Sequence, residues 1–79
     1  MNDEERLQEL MIEHLHIDDG LYSPELTFEE LGQDSLQLLE LVIAAEEEFD
    51  ISLDDEQLWK CATVGEASQL IIRKIQDER

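Results

Sequence analysis

Residues 34–49, which read DSLQLLELVIAAEEEF, decide the fold of this chain. Asp34 is a good helix N-cap and Gln37, three residues later, completes a capping pair, so the sequence predicts a helix that begins at Ser35 and ends at Phe49. At about 100° per residue, one side of this helix gathers apolar residues and is predicted to face a core. The residues on that side are Leu38, Leu39, Val42, Ala45 and Phe49.

The opposite side of the same helix combines acids with two apolar side chains. Glu40, Glu47 and Glu48 fall there, and Leu36 and Ile43 lie beside them rather than with the core set. One exposed leucine needs no explanation, but two apolar groups flanked by carboxylates indicate a docking surface. Acids would steer a basic partner towards this face and the apolar pair would hold it. A purely solvated acidic helix face is the alternative.

Ser35 occupies the first position of the predicted helix. Backbone N–H groups and the helix dipole at such a position favour an anion, for example a phosphate ester. A hydrolase nucleophile would need a strand–turn–helix setting and a Gly-x-Ser-x-Gly elbow, whereas this chain has GQDS and no predicted strand before it. Two interpretations of Ser35 stay open on physical grounds: a helix-start residue, or a point of attachment.

Three further helices are predicted around this one. Residues 3–16 carry apolar side chains at helical spacing, residues 54–60 form a short helix opened by acids, and Thr63 with Glu66 makes a capping box for a last helix. Strand signals are weak. The chain is therefore predicted to be all-α: a small four-helix bundle with a long loop, residues 17–33, between helices one and two and a short third helix. Apolar residues are expected to pin that loop to the core: Ile17, Leu21, Leu26, Phe28 and Leu31.

Composition restricts the class of partner. The chain has 79 residues, which predicts one domain, and its 22 acidic and 5 basic residues give a net charge of −17. Nucleic acid and anionic membranes are poor partners for this surface, because binding to either relies on Lys and Arg. Basic patches on other proteins are the natural partners, and so much like charge favours a monomer.

No feature predicts a metal site, a disulfide or a membrane span. The single cysteine, Cys61, cannot form an internal disulfide and is interpreted as a small buried thiol. His14 and His16 lack the spacing of a metal pair, and the acidic runs lack the pattern of an EF-hand loop, which also disfavours a calcium buffer. There is neither a signal peptide nor an apolar run of about 18 residues, so a cytoplasmic protein is expected.

These residues together resemble the acyl carrier protein family. The resemblance rests on residues 32–36, GQDSL, on Glu40-Leu41-Val42 and on residues 46–49, EEEF. It extends over nearly the whole chain through the length, the acidity, the long first loop, the short third helix and Thr63-Val64 at the start of the last helix. An Asp-Ser-Leu tripeptide alone is weak evidence, whereas this combination is specific.

The resemblance implies a carrier rather than an enzyme. By analogy with the family, a phosphopantetheinyl transferase would use coenzyme A to place a 4′-phosphopantetheine arm on Ser35, next to Asp34. The thiol of the arm would hold acyl intermediates as thioesters and shuttle them between loading, condensing and other biosynthetic enzymes. Those enzymes would dock through basic patches on the second helix, at Leu36, Glu40, Ile43, Glu47 and Glu48. A chain that starts at Met1 is expected to be a free-standing carrier, with one carrier domain over residues 1–79.

Three departures from the family pattern favour a specialised pathway. Gln37 replaces an acid, Leu38 stands where a small or polar residue is usual, and Trp59 lies in the third helix, which in this family borders the acyl-binding cleft. Ordinary core packing also explains Leu38 and Trp59. The candidate cleft residues are Leu38, Leu39, Val42 and Trp59. Besides a carrier for fatty acid, polyketide or related biosynthesis, two alternatives stay open: an aminoacyl or peptidyl carrier of a nonribosomal system, and an acidic interaction protein that masks a basic surface.

Overall fold

The computed structural model describes residues 2–78 and consists of helices, with one long connection between the first two. Within these residues there are four α-helices and no β-strand, so the predicted all-α bundle with a long first connection and a short third helix is confirmed. No described helix is both long and apolar enough to cross a membrane. The helices are α1 (Asp3–Leu15), α2 (Ser35–Phe49), α3 (Asp55–Trp59) and α4 (Val64–Asp77), and the long connection contains a short 3-10 turn at Asp19–Leu21.

Each helix begins where a polar side chain accepts a backbone N–H from the first turn. The capping side chains are Asn2, Asp34, Asp54 and Thr63. Helices α1 and α2 both end at a residue in the left-handed conformation, His16 with φ 56° and Asp50 with φ 54°. These ends depend on short-range chemistry, which is why the sequence places the boundaries of α2 correctly.

The core draws buried apolar residues from every helix, because α1 packs against α2 and α4 while α2 also packs against α3. On α2, however, Leu41 is fully buried and Leu39 only half-buried, the reverse of the predicted pattern. At about 100° per residue, Leu41 lies roughly 60° to one side of Leu38 and Leu39 about 100° to the other. The buried side of α2 is therefore rotated towards Leu41 relative to the predicted apolar side, because α2 packs against two helices, α1 and α3.

The long connection is fastened to the start of α4. Ile17 and Phe28 are buried and Leu26 and Leu31 are half-buried, as expected for a pinned loop. Leu21 is 65% exposed, so its predicted packing is wrong: it ends the 3-10 turn, which carries its side chain out to solvent. Three backbone hydrogen bonds hold the loop, from Phe28 N–H to Ala62 O (3.2 Å), from Val64 N–H to Leu26 O (2.8 Å) and from Gly65 N–H to Pro24 O (2.9 Å).

The start of α4 departs from the predicted capping box. The Thr63 hydroxyl accepts the backbone N–H of Glu66 at 3.1 Å, as a box requires. The Glu66 carboxylate, however, accepts the N–H of Ala62 at 2.8 Å, one residue earlier than the cap itself. Thr63 forms an isolated bridge with Thr27, so the chain before α4 runs alongside the loop and brings the Ala62 N–H to the carboxylate.

The first turn of α1 and the end of α4 both contact the C-terminal end of α2 or the residues just beyond it. Arg6 donates to the backbone oxygen of Glu48 (3.2 Å) and to its carboxylate (2.9 Å), and its guanidinium carbon lies 4.9 Å from the centre of the Phe49 ring. Just beyond α2, the backbone N–H of Ser52 donates to the Glu78 carboxylate at 3.2 Å. These contacts close the end of the bundle that is remote from Ser35.

Candidate functional site

The start of α2 is fixed by a reciprocal cap. The Gln37 N–H donates to the Asp34 carboxylate at 2.9 Å, and the Asp34 N–H donates to the Gln37 side-chain oxygen at 2.9 Å. This capping box is the predicted one, and it explains what the uncharged Gln37 does in place of an acid. Because both partners are held, the cap sets the direction in which Ser35 leaves the helix.

The segment before the cap is anchored to α1 by a glutamine. The side-chain nitrogen of Gln33 donates to the carbonyl oxygens of Leu15 (3.2 Å) and Leu31 (3.4 Å), and Leu15 supplies one of the carbonyls that the end of α1 leaves without a helical partner. Gly32, with φ 68°, turns the chain into this position. Sequence reasoning missed Gln33, since a lone glutamine in a loop carries no signal of a contact 18 residues away.

Ser35 is exposed at the first position of α2. Within residues 2–78, the backbone N–H groups of Ser35 and Leu36 donate to no protein acceptor, as is normal for a first helical turn. The Asp34 carboxylate is occupied by the Gln37 N–H. A phosphodiester on the Ser35 oxygen would thus meet two unsatisfied donors at the positive end of the helix dipole, so the residues present fit a phosphate-linked group.

A straight stripe of side chains runs along α2 from this serine. Leu36, Glu40, Ile43 and Glu47 follow each other at spacings of three or four residues, so they share one line on the helix. All four are exposed, with Leu36 at 62% and Ile43 at 46%, as the pattern predicts. We call these four residues the α2 stripe. Glu48 lies beside the stripe rather than in it, and its carboxylate contacts Arg6.

The candidate cleft residues are distributed between the core and the surface. Leu38 and Val42 belong to the buried cluster, and Leu39 is half-buried. Trp59, the last residue of α3, is 47% exposed. The structure therefore brings Leu38 and Val42 together and leaves the tryptophan accessible to solvent.

Neither a reactive thiol nor a metal site lies among the described residues. Cys61 is half-buried and its S–H donates weakly to the Gln57 carbonyl at 3.6 Å. Burial raises the pKa of the Cys61 thiol, and the nearby Glu66 carboxylate raises it further, so the thiolate is disfavoured. Over residues 2–78, no three His, Cys, Asp or Glu side chains converge as metal ligands would.

Comparison with known proteins connects this geometry to a family. Residues 5–71 match the family described as phosphopantetheine attachment site. The structure is similar to the crystal structure of an acyl carrier protein from Thermotoga maritima, with a TM-score of 0.77 and 29% identity over 95% of this chain and 88% of that chain. The fold and the site thus define a small helical carrier domain with an attachment site for phosphopantetheine. The chain belongs to the acyl carrier protein family.

Membership of this family fixes the general role. The protein is a carrier and not an enzyme, and its prosthetic group is covalently bound 4′-phosphopantetheine. Such a carrier works with a phosphopantetheinyl transferase and with biosynthetic enzymes.

Proposed function

We propose that this chain is a monomeric acyl carrier protein in which Ser35 carries the 4′-phosphopantetheine arm. The observation that carries the proposal is the exposed Ser35 hydroxyl at the first position of α2, next to backbone N–H groups that have no protein acceptor within residues 2–78. When bound, the arm supplies a thiol that holds an acyl group as a thioester. The other residues of the site hold and orient the point of attachment.

Three local features position Ser35 for this role. The capping box between Asp34 and Gln37 fixes the first turn of α2, so the hydroxyl leaves the helix in one direction. Gln33 ties the preceding segment to the end of α1. The first-turn N–H groups favour the negatively charged phosphodiester over bulk water. The helix dipole and these donors offset the repulsion from the neighbouring Asp34 carboxylate.

We further propose that partner enzymes dock on the α2 stripe. Glu40 and Glu47 would steer a basic patch, while Leu36 and Ile43 would bury their exposed apolar surface against it. Glu48 would contribute less charge than these two, because Arg6 already contacts its carboxylate at 2.9 Å. The stripe begins next to Ser35, so an enzyme seated on it would have the arm at the edge of its footprint.

The cargo that we propose is an acyl intermediate of fatty acid, polyketide or related biosynthesis, in a specialised pathway. Leu38, Leu39 and Val42 would line the inner part of an acyl cleft, and Trp59 its outer edge. Two observations support this: Leu38 and Val42 are buried in the first half of α2, and Trp59 is exposed on the neighbouring helix α3. Such a cleft would be more apolar than one with a small or polar residue in place of Leu38.

Intact mass spectrometry tests the attachment site. The parent, Ser35→Ala and the matched control Ser52→Ala would each be incubated with coenzyme A and a broad-specificity phosphopantetheinyl transferase. Ser52 is exposed and its backbone N–H, not its hydroxyl, makes the contact with Glu78, so its substitution leaves the fold unchanged. We expect one phosphopantetheine on the parent and on Ser52→Ala, and none on Ser35→Ala. Modification of Ser35→Ala, or no modification of the parent by several such transferases, would refute the proposal.

Charge reversal tests the docking surface. Glu47→Lys removes a steering charge from the α2 stripe, and Glu9→Lys makes the same change on the exposed face of α1. We expect Glu47→Lys to lower kcat/KM for the transferase by about two- to tenfold, the effect of replacing an exposed attraction by a repulsion, with unchanged helicity. Equal rates for the two variants would exclude the stripe as the docking surface.

Tryptophan fluorescence tests the cleft and the class of cargo. The chain contains a single tryptophan, so its emission reports on Trp59 alone. Loading an octanoyl group onto the arm is expected to shift this emission to the blue, because an acyl chain at the edge of the cleft excludes water from the indole. Loading with an aminoacyl group is the comparison. An unchanged spectrum with octanoyl would remove Trp59 from the cleft, and preferential loading of the aminoacyl group by partner enzymes would favour a nonribosomal carrier.

A further inference from the structure

The contacts of Arg6 show how this acidic chain holds a guanidinium. Its central carbon lies 4.9 Å from the centre of the Phe49 ring, and one of its nitrogens lies 2.9 Å from the Glu48 carboxylate. An aromatic ring and a neighbouring carboxylate therefore hold one arginine together, which suits the planar shape and the charge of a guanidinium. Within residues 2–78, Arg6 is the one cation that lies over an aromatic ring.

Helix α3 presents the same two kinds of group to solvent. Trp59 is 47% exposed, whereas every other aromatic side chain in the described part of the chain is half-buried or buried. Asp55 and Glu56 precede Trp59 in the same helix by four and three positions, the spacings at which side chains on a helix are neighbours. We call these three residues the α3 face.

No cation of the described chain is paired with the α3 face. Neither Asp55 nor Glu56 belongs to an ion pair over residues 2–78. Lys60 directly follows Trp59, but adjacent residues of a helix point in different directions, and Lys60 forms no ion pair with a described carboxylate either. Residues 54–60 contain three acids and this one lysine, so the segment as a whole is negatively charged. The α3 face therefore attracts a cation from outside the chain.

We propose that the α3 face binds an arginine side chain of a partner protein. The guanidinium would stack on the indole of Trp59 and donate hydrogen bonds to the carboxylate of Asp55 or Glu56. Charge complementarity identifies the occupant as a cation. The exposed ring selects arginine over lysine, because a guanidinium is planar, stacks on aromatic rings and is more weakly hydrated than an ammonium group. The identification of the partner as an enzyme that handles the cargo rests on the carrier function proposed above.

An enzyme seated on the α2 stripe is wide enough to contact α3 as well. The described chain measures 32 × 28 × 18 Å, and α3 packs against α2. A standard interface covers about 800 Å² on each partner, which is roughly 28 Å across. The acids of the stripe attract a basic patch from many directions, whereas stacking on one ring requires one orientation of the guanidinium. A contact at the α3 face would therefore fix how the partner is rotated on the carrier.

Proton NMR of an arginine peptide mixed with the unmodified chain tests the proposal without involving the arm. The probe is acetylated, amidated Arg-Leu-Arg-Leu, and the same peptide with Lys in place of Arg is the control of equal charge, at about 0.15 M ionic strength. We expect the ring current of the indole to shift the δ-methylene protons of arginine upfield. The indole N–H signal of Trp59, the single tryptophan of the chain, should move with the same Kd. The lysine peptide should bind at the indole about two- to fivefold more weakly.

Two sets of variants separate the ring from the carboxylates. Trp59→Leu should abolish the upfield shift, and Trp59→Phe should keep a smaller one, because phenylalanine also stacks on a guanidinium. Asp55→Asn combined with Glu56→Gln should raise the Kd about two- to fivefold, the range of an exposed ion pair. The matched double variant Glu9→Gln with Glu13→Gln, on the exposed face of α1, has the same net charge and should bind like the parent.

Each other outcome contradicts the proposal. The proposal would be overturned by an absent upfield shift at millimolar peptide, by a shift that persists in Trp59→Leu, or by equal affinities of the two peptides. Equal affinities of the two double variants would exclude the carboxylates of the α3 face. Indole shifts that depend on protein concentration alone would assign this face to a second copy of the chain. All of these failures leave modification of Ser35 measurable by mass, so they are distinguishable from a failure of the carrier function.

Discussion

Substitution of Gly65 by alanine would have two opposing effects on stability. It would raise the helix propensity of α4, and it would disturb the packing of the long loop on that helix. Gly65 lies in the first turn of α4, where its N–H donates to the carbonyl oxygen of Pro24 at 2.9 Å. A β-carbon at this position would lie 2.8 Å from the Pro24 β-carbon and 2.8 Å from that carbonyl oxygen. Real β-carbons do not sustain such distances, and the two obstacles are a backbone oxygen and a carbon of the rigid proline ring, so the loop must move away from the helix.

The magnitudes of the two effects decide the sign. Alanine is favoured over glycine in a helix by at most about 1 kcal/mol. Moving Pro24 breaks the Gly65–Pro24 hydrogen bond and strains the neighbouring one between Val64 and Leu26, at about 0.5–1.5 kcal/mol each. Overpacking adds about 1–3 kcal/mol unless the loop relaxes fully. We therefore expect Gly65→Ala to lower the free energy of unfolding by at least about 1 kcal/mol.

Urea unfolding followed by far-UV circular dichroism measures this difference. Gln69→Ala is the matched control, because Gln69 is an exposed residue of the same helix, and we expect its free energy of unfolding to stay within about 0.5 kcal/mol of the parent. If Gly65→Ala unfolds at the same or a higher urea concentration than the parent, helix propensity dominates and the close contact with Pro24 is not a constraint.

Other substitutions probe the ends of α2, the thiol and the net charge. Asp34→Ala should lower the free energy of unfolding by about 1 kcal/mol, the usual effect of losing an N-cap, with Glu9→Ala on the exposed face of α1 for comparison. Arg6→Gln should lower it by about 1 kcal/mol after solvent screening, and a high salt concentration should shrink this difference, since the contact with Glu48 is partly exposed. Because burial raises the pKa of the Cys61 thiol, iodoacetamide should alkylate Cys61 more slowly in the folded protein at pH 8 than in the urea-unfolded chain. For the same reason, the contribution of the protonated thiol to stability should be lost as the pH rises through the pKa of Cys61 in the folded protein. Equal alkylation rates would contradict the burial. The free energy of unfolding should also rise from low to moderate salt concentration, because salt screens the mutual repulsion of the acidic side chains in a chain with a net charge of −17. A free energy of unfolding that does not change with salt would contradict this expectation.

Features that depend on neighbours in the chain were predictable from the sequence. The bounds of α2 follow from Asp34, Gln37 and the apolar period, and the exposure of Leu36 and Ile43 follows from the same period. The start of α4 at Thr63 is equally local. These signals place the candidate attachment residue on the right element, because capping chemistry acts over three residues and needs no knowledge of the tertiary fold.

Features that depend on contacts across the chain were not predictable. Gln33 and Leu15 are separated by 18 positions, and Arg6 and Glu48 by 42, so neither pair leaves a local pattern. Lys60 and Arg73 likewise border one hollow although they are 13 positions apart in the sequence. Leu41 is buried because α2 packs against two helices, and the period of apolar residues along α2 does not show how many helices it contacts.

The closed end of the bundle, where Arg6 meets Glu48 and Glu78 meets Ser52, has a practical consequence for handling this protein. Both described ends of the chain arrive there, while Ser35 lies at the other end of a 15-residue helix, which is about 22 Å long. A dye, an affinity tag or a solid support joined to either end therefore enters on the side remote from the serine. The carrier can be tethered in a flow cell with Ser35 facing the passing enzymes.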